Sequence, residues 1–262
     1  MIKYFTPPEY HTEANTPRHI LDKLSLNSRT YFVARYVKIL FEARKVVAKG
    51  EFDTGAWAKA SFDIFKLIEG CGGRFHITGL DVIEKQKDPV VFVSNHMSTL
   101  ETMVFPCIIA PFMEATFVIK ESLATHKIVG SIMRARNPIV VSRDNPREDF
   151  KTVMGKGKAL LNEGTSIIIF PQSTRTVNFI PEEFNSLGVK LAKKANVKII
   201  PIAIKTDFWQ NGKYLKDIGP IKRNIPINIA IGKAMAVKGN GKEEHREILS
   251  FISDNLKIWK HQ

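Results

Sequence analysis

The stretch Val90-Val91-Phe92-Val93-Ser94-Asn95-His96-Met97-Ser98-Thr99-Leu100-Glu101 decides the fold. It opens on an unbroken apolar run rich in β-branched residues, the signature of a strand covered on both faces, as in a parallel sheet. Polar Asn95 and His96 end the run, and Ser98-Thr99-Leu100-Glu101 starts a helix. A buried strand entering a helix through a short polar turn is a unit of an α/β fold. Open α/β sheets bind ligands beyond the carboxyl ends of their strands, so this turn is the first place to look for chemistry.

Runs of the same kind recur at residues 75–78, 115–119, 138–141, 166–170, 198–204 and 227–231, with helical patterns at 146–161, 183–195 and 243–259. The alternation predicts an α/β fold with a mostly parallel sheet flanked by helices over residues 73–262. Upstream, residues 28–49 and 54–70 carry wide apolar faces broken by Gly50, with Thr54 as the expected N-cap. They predict an N-terminal two-helix hairpin. Residues 1–27, with Pro7, Pro8 and Pro17, read as an irregular arm. The expected organisation is therefore 1–72 for arm and hairpin and 73–262 for the α/β domain.

The chain has 262 residues, 44% hydrophobic and 25% charged, which excludes bulk disorder. Cys71 and Cys107 offer neither a disulfide framework nor a zinc pattern, and a reducing compartment is expected. No apolar h-region marks the first residues as a secretory signal. The most apolar stretch, 101–114, is interrupted by Pro106 and Pro111 and is too short to span a bilayer. A formal charge of +13, with lysines crowded into residues 190–223, calls for an anionic partner. Nucleic acid, a phosphorylated metabolite and an anionic membrane all satisfy that demand.

Two phosphate motifs fail. Gly155-Lys156-Gly157-Lys158 lacks the P-loop spacing, and Gly239-Asn240-Gly241 lacks a third glycine and a preceding strand. There is no Gly-x-Ser-x-Gly elbow for a serine hydrolase. His96 carries more information: an imidazole at a strand end can act as a general base near neutral pH. Glu101 could fix its tautomer through Nδ1, provided His96 sits in the turn and Glu101 in the first helical turn. The competing reading is structural, because Ser98-x-x-Glu101 is also a capping box with Ser98 as N-cap.

Three other strand ends carry cations: Lys120 after residues 115–119, Arg143 after 138–141, and Arg175 in Phe170-Pro171-Gln172-Ser173-Thr174-Arg175. Pro201 lies in the apolar strand that closes the series. In this order the chain resembles the PlsC-type glycerolipid acyltransferases, the 1-acyl-sn-glycerol-3-phosphate acyltransferases. That family carries Asn-His-x-x-x-x-Asp, a strand ending in Arg, Phe-Pro-Glu-Gly-Thr-Arg and an apolar strand containing Pro. The resemblance spans residues 75–205. It implies a catalytic pair of His96 and Glu101, and phosphate contacts from Arg175, Arg143 and Lys120. It further implies lysophosphatidic acid as acceptor, acyl-CoA or acyl carrier protein as thioester co-substrate, and neither a metal nor a bound organic cofactor.

Glu101 stands where the family has Asp, and Gln172-Ser173 where it has Glu-Gly. The first change keeps the carboxylate; the second bears on acceptor choice, as another lysolipid or glycerol 3-phosphate would suit the same chemistry. Nucleic-acid binding is the rival from another class, and the sequence holds no helix-turn-helix, zinc module or interleaved base-stacking aromatics to support it. Because the acceptor's acyl chain lives in a bilayer, docking on an anionic membrane surface at the cytoplasmic face is expected. Residues 28–49, with Arg29, Arg35, Lys38, Arg44 and Lys45 beside an apolar face, form the expected interfacial helix.

Overall fold

The computed structural model describes residues 2–26, 28–172, 174–213 and 216–260. In chain order the elements are β1 (Glu9–His11), α1 (Ile20–Leu24), α2 (Thr30–Ala48), α3 (Thr54–Gly70), β2 (Phe75–Thr78), α4 (Leu80–Glu84), β3 (Val91–Ser94), α5 (Leu100–Ile109) and β4 (Ala115–Lys120). There follow α6 (Glu121–Ala124), α7 (Gly130–Arg134), β5 (Ile139–Val141), α8 (Pro146–Asn162), β6 (Ser166–Ile169), a 3₁₀ turn (Pro181–Glu183), α9 (Leu187–Ala195), β7 (Lys198–Lys205), β8 (Ile227–Ile231), β9 (Met235–Ala236) and α10 (Lys242–Lys260). The strands form one sheet in the order β1-β2-β8-β7-β3-β6-β4-β5, with β9 added on β7. Strands β7, β3, β6, β4 and β5 run parallel; β8 turns back antiparallel to β7, and β2 follows β8. The mostly parallel α/β architecture is as expected.

Period-two alternation divides the sheet's side chains between two cores. Phe92, Ile168, Ile200 and Ile202 point into the core shared with α2, α3 and α5, whereas Val91, Val93, Ile167 and Ile169 meet α8, α9 and α10. Strand β3 is buried on both faces and so demands apolar residues at every position. Helix α9 comes unusually close to it. A Cβ on Gly188 would meet Val93 Cγ2 at 2.4 Å, so only glycine permits this approach.

Helix α5 carries Pro106 in its interior, where the missing N–H breaks the helical ladder. Ser61 of α3 bridges the adjoining rung, between Met103 and Cys107: its hydroxyl donates to the Met103 carbonyl at 2.6 Å and accepts from Cys107 N at 2.9 Å. The first turn of α5 is thereby anchored to its neighbour. Cys107 and Cys71 are both buried and free, and burial foremost pushes each thiol up to about 12, so they serve as packing groups.

Three expectations need correction. Residues 1–27 hold β1, paired antiparallel with β2, and the single-turn helix α1. Pairing across such a separation leaves little local trace. Asp53, not Thr54, caps α3 by accepting from Ala56 N at 2.7 Å, while the Thr54 hydroxyl is drawn instead to Glu114 and Arg136. Helix α9 starts at Leu187 instead of residue 183, because the Asn185 amide is held by the Pro171 carbonyl and its Oδ1 accepts from Leu187 N at 2.9 Å.

Asp22 locks the N-terminal segment onto the base of the β7–β8 connection. Its carboxylate is fully buried and receives Arg18 Nε at 2.8 Å and Arg223 Nη2 at 2.7 Å. Removing one partner of a buried ion pair leaves uncompensated charge and costs about 3–5 kcal/mol. Asp22→Ala should lower unfolding free energy in urea toward the smaller end of that range, since both arginines retain some solvent contact. A change within the scatter of surface substitutions would show that the clamp contributes nothing.

Candidate active site

Because β3, β4, β5, β6 and β7 are parallel, their carboxyl ends open on one edge of the sheet. The turn after β3 supplies His96, β4 ends in Lys120, Arg143 follows β5, Phe170 to Gln172 follow β6, and Thr206 follows β7. A cleft of about 730 Å³ lies along this edge, lined by His96, Lys120, Arg143 and Arg175 at its polar part. An apolar part of its wall is formed by Val37 and Leu40 of α2, Met103 of α5, Phe117 of β4, and Leu123, Val129 and Met133 around α6 and α7.

The β3 turn is held rigidly. Asn95 bonds the backbone of Ile204 in both directions, each at 2.9 Å, and is buried. His96 N donates to Gln172 Oε1 at 2.7 Å, and the His96 carbonyl accepts from Thr176 N at 3.0 Å. The imidazole stacks on Phe170 with centroids 4.3 Å apart. These contacts fix position and plane of the ring while its edge stays open to the cleft.

Glu101 lies behind it, fully buried in the first turn of α5. Its Oε1 receives His96 Nδ1 at 2.8 Å, Met97 N at 2.7 Å and Ser98 N at 2.8 Å; its Oε2 receives Thr206 Oγ1 at 2.7 Å and Ser98 Oγ at 3.0 Å. Burial by itself pushes the carboxyl upward and is the largest single influence. The bonds from His96, Ser98 and Thr206 together outweigh it and hold the group below the usual carboxylate range. An ionised carboxylate only accepts, so the shared proton belongs to Nδ1, and in the neutral imidazole this leaves the lone pair on Nε2. One side chain thus holds both the helix start and the imidazole, since Glu101 accepts from the Ser98 amide and from His96 Nδ1. Ser98 takes part differently from expectation: Thr99 is the N-cap, and Ser98 Oγ accepts from Leu100 N at 3.0 Å.

The cations differ in how they are held. Arg175 donates through Nη1 to Thr99 Oγ1 and through Nη2 to Asp217 Oδ1 at 2.7 Å. Arg143 adopts a left-handed φ of 67°, and its backbone N is held by Asp149 Oδ2 at 2.7 Å. Burial first, then the nearby Arg175 charge, pulls the Arg143 guanidinium below its ordinary range against the opposing pull of Asp149. Lys120 is exposed at the rim. All five residues singled out from sequence thus meet at one cleft, four on its wall and Glu101 behind. Ser173, one of the two departures noted in the third block, lies outside the described residues; Gln172 is buried with its amide on the His96 turn. Among the described residues no group of three or more His, Cys, Asp or Glu is placed to hold a metal.

Four contributors escaped the sequence reading: Thr206, Phe170, Thr99 and Asp217. A polar residue just past a buried strand, as Thr206 is, carries a usable signal. Asp217, in the long β7–β8 connection, carries none.

The acyltransferase family profile matches residues 74–205. The chain is similar to the 1-acyl-sn-glycerol-3-phosphate acyltransferase of Pseudomonas aeruginosa, 27% identical over 201 residues that cover 77% of this chain and 74% of that one. It is also similar to the protein of the same name from Borreliella burgdorferi, 25% identical over 186 residues covering 71% of each. In fold it is similar to the crystal structure of the 1-acyl-sn-glycerophosphate (LPA) acyltransferase PlsC of Thermotoga maritima, with a TM-score of 0.64 at 18% identity over 93% of this chain and 98% of that one.

A carboxyl whose folded pKa is depressed stabilises the fold above its unfolded value, and that contribution is lost as pH falls through the folded value. Glu101 starts from an unfolded value near 4.5. The difference in unfolding free energy between the parent and Glu101→Gln should therefore be full at neutral pH and shrink progressively below that value. A difference that stays constant from neutral to strongly acidic pH would show that the depression is absent.

Proposed function

This chain belongs to the acyltransferase family, and on that premise we propose that it transfers a fatty acyl group from a thioester donor to the sn-2 hydroxyl of lysophosphatidic acid, giving phosphatidic acid. The donor is acyl-CoA or the acyl thioester of acyl carrier protein, consumed as co-substrate, and the reaction calls on no further cofactor. The names of the relatives support the acceptor. The observation that carries the reading is the buried Glu101 carboxylate on His96 Nδ1, at the mouth of a cleft with cationic rim and apolar wall.

In the proposed step, His96 Nε2 takes the proton of the acceptor hydroxyl as its oxygen attacks the thioester carbonyl. Glu101 stabilises the imidazolium that forms. The tetrahedral intermediate collapses with cleavage of the carbon–sulfur bond, and the departing thiolate takes the proton back. Arg175, with Arg143 and Lys120, holds the acceptor phosphate so that the hydroxyl meets Nε2, which is catalysis by positioning. The apolar wall of α2, α5, α6 and α7 takes hydrocarbon. Thiol release measured over a panel of lysolipids and glycerol 3-phosphate tests the assignment. Lysophosphatidic acid should be the preferred acceptor, and preference for another would reassign the substrate. His96→Ala should lose about 10²–10⁴-fold in rate with its fold intact, and Glu101→Gln should be slowed at the same step. Normal turnover by either variant would remove the dyad from the mechanism.

Membrane docking belongs to the same proposal, since acceptor and product are lipids. Among the described residues no helix is long and apolar enough to cross a membrane. The expected interfacial helix, α2, spends its main apolar face on the core through Phe32, Tyr36, Ile39 and Leu40. Outward-facing apolar residues gather instead on and just after α1, where Ile20, Leu21, Leu24 and Leu26 are 61–90% exposed. With Lys23 and Arg29 beside them, they suit a monotopic seat on an anionic bilayer, assigned to the cytoplasmic face. Each basic residue near such a surface adds roughly 1 kcal/mol, and salt weakens the attraction. Replacing Leu21, Leu24 and Leu26 together by serine should reduce co-sedimentation with phosphatidylglycerol-containing vesicles. Undiminished sedimentation would take α1 out of the docking surface.

A further inference from the structure

The guanidinium assigned to the acceptor phosphate is already occupied by an acid. Arg175 Nη2 lies 2.7 Å from Asp217 Oδ1, its Nη1 is bonded to Thr99 Oγ1, and that hydroxyl is 3.2 Å from the same Asp217 oxygen. Asp217, Thr99 and Arg175 all line the cleft. The acid therefore presents to Arg175 and Thr99 an anionic oxygen of the kind a phosphate would bring.

Its setting differs from that of Glu101. Glu101 is fully buried under five donors, whereas the Asp217 side chain is half exposed, at 50%, in the connection between β7 and β8. A half-exposed ion pair is worth little. A phosphate monoester brings about −1.5 to −2 charges near neutral pH, together with several strong acceptor oxygens. Magnitudes therefore favour exchange when a monoester arrives. A phosphodiester brings a single charge, and a neutral group none.

We propose that Asp217 is a displaceable counter-anion for Arg175, which the acceptor's phosphate monoester must evict, making it a specificity-determining residue against acceptors with weaker or no charge. With the cleft empty it neutralises Arg175, close to the Arg143 charge. When a monoester enters, Arg175 and Thr99 pass from Asp217 to phosphate oxygens. The carboxylate moves into water, and no covalent bond changes. The segment that carries it is held independently of this contact, because Arg29 Nη1 donates to the Ile218 carbonyl at 2.6 Å. Loss of the Asp217 contact therefore need not release the segment.

This inference rests on the reading of Arg175 as the acceptor-phosphate residue, and the experiment separates the two. Inorganic phosphate is titrated calorimetrically at constant ionic strength into the parent, Asp217→Asn, Asp217→Glu and Arg175→Ala proteins. Asp217→Asn should bind phosphate roughly two- to fivefold more tightly than the parent, as expected for release of a weak competing pair. Asp217→Glu should remain near the parent, and Arg175→Ala should lose binding. In thiol-release assays, Asp217→Asn should also narrow the preference for lysophosphatidic acid over a lysophosphodiester, through KM. Equal or weaker phosphate binding by Asp217→Asn, with Arg175→Ala impaired, would overturn the counter-anion role and leave Arg175 as the phosphate residue. Equal binding by parent and Arg175→Ala would overturn both. Asp217→Ala provides the same comparison should the asparagine variant be poorly folded.

Discussion

A buried carboxylate with no solvent contact organises the site. Glu101 would be intolerable in the interior without compensation, because an unpaired ionised carboxylate loses its hydration there. Compensation comes from the turn after β3, through His96, Met97 and Ser98, and from the end of β7, through Thr206. Satisfying the charge thus fixes the relative positions of these segments and of the first turn of α5. The ionised carboxylate in turn dictates the imidazole tautomer. Stabilising the helix start and orienting His96 are one arrangement, because Oε1 accepts from the turn amides and from Nδ1 together.

Parallel strand direction explains why the remaining groups gather at the same place. Each crossover returns the chain to the opposite edge, so every parallel strand delivers its exit to the same one. Lys120, Arg143 and Arg175 reach one cleft by this route from three separate strands. Concentrated positive charge has a cost, visible in the pull of Arg175 on Arg143, and Asp149 and Asp217 offset part of it. Helices α2, α5, α6 and α7 add the apolar wall. A cleft with hydrocarbon on one side and cations on the other is complementary to a molecule built from an acyl chain and a phosphate.

The N-terminal residues serve this arrangement from a distance. Phe5, Phe32, Tyr36 and Leu40 enter the same core as Phe92 and Ile200. Asp22 ties α1 to Arg223, at the base of the connection that carries Asp217. While α2 turns its main apolar face to the core, Ile20, Leu21, Leu24 and Leu26 stand exposed at this end of the molecule, as do Ile2 and Phe41.

Local pattern alone determined much of this protein. Strands such as 75–78 and 227–231 and the helix at 54–70 were legible because buried strands and amphipathic helices impose strict periodicities on side-chain polarity. His96 and Glu101 stood out by their place in a strand-to-helix turn, whereas Lys120, Arg143 and Arg175 were singled out by their order in the family resemblance; the structure brings the five to one cleft. Pairing across long separations was not legible. Strand β1 joins β2 through partners such as His11 and His76, and no local signal announces such a match. Asp217 likewise becomes meaningful only when the sheet brings the connection after β7 beside the β3 turn. Tertiary structure also decided which face of α2 is spent on packing, since an apolar stripe suits a core and a bilayer equally well, and only the neighbours distinguish them.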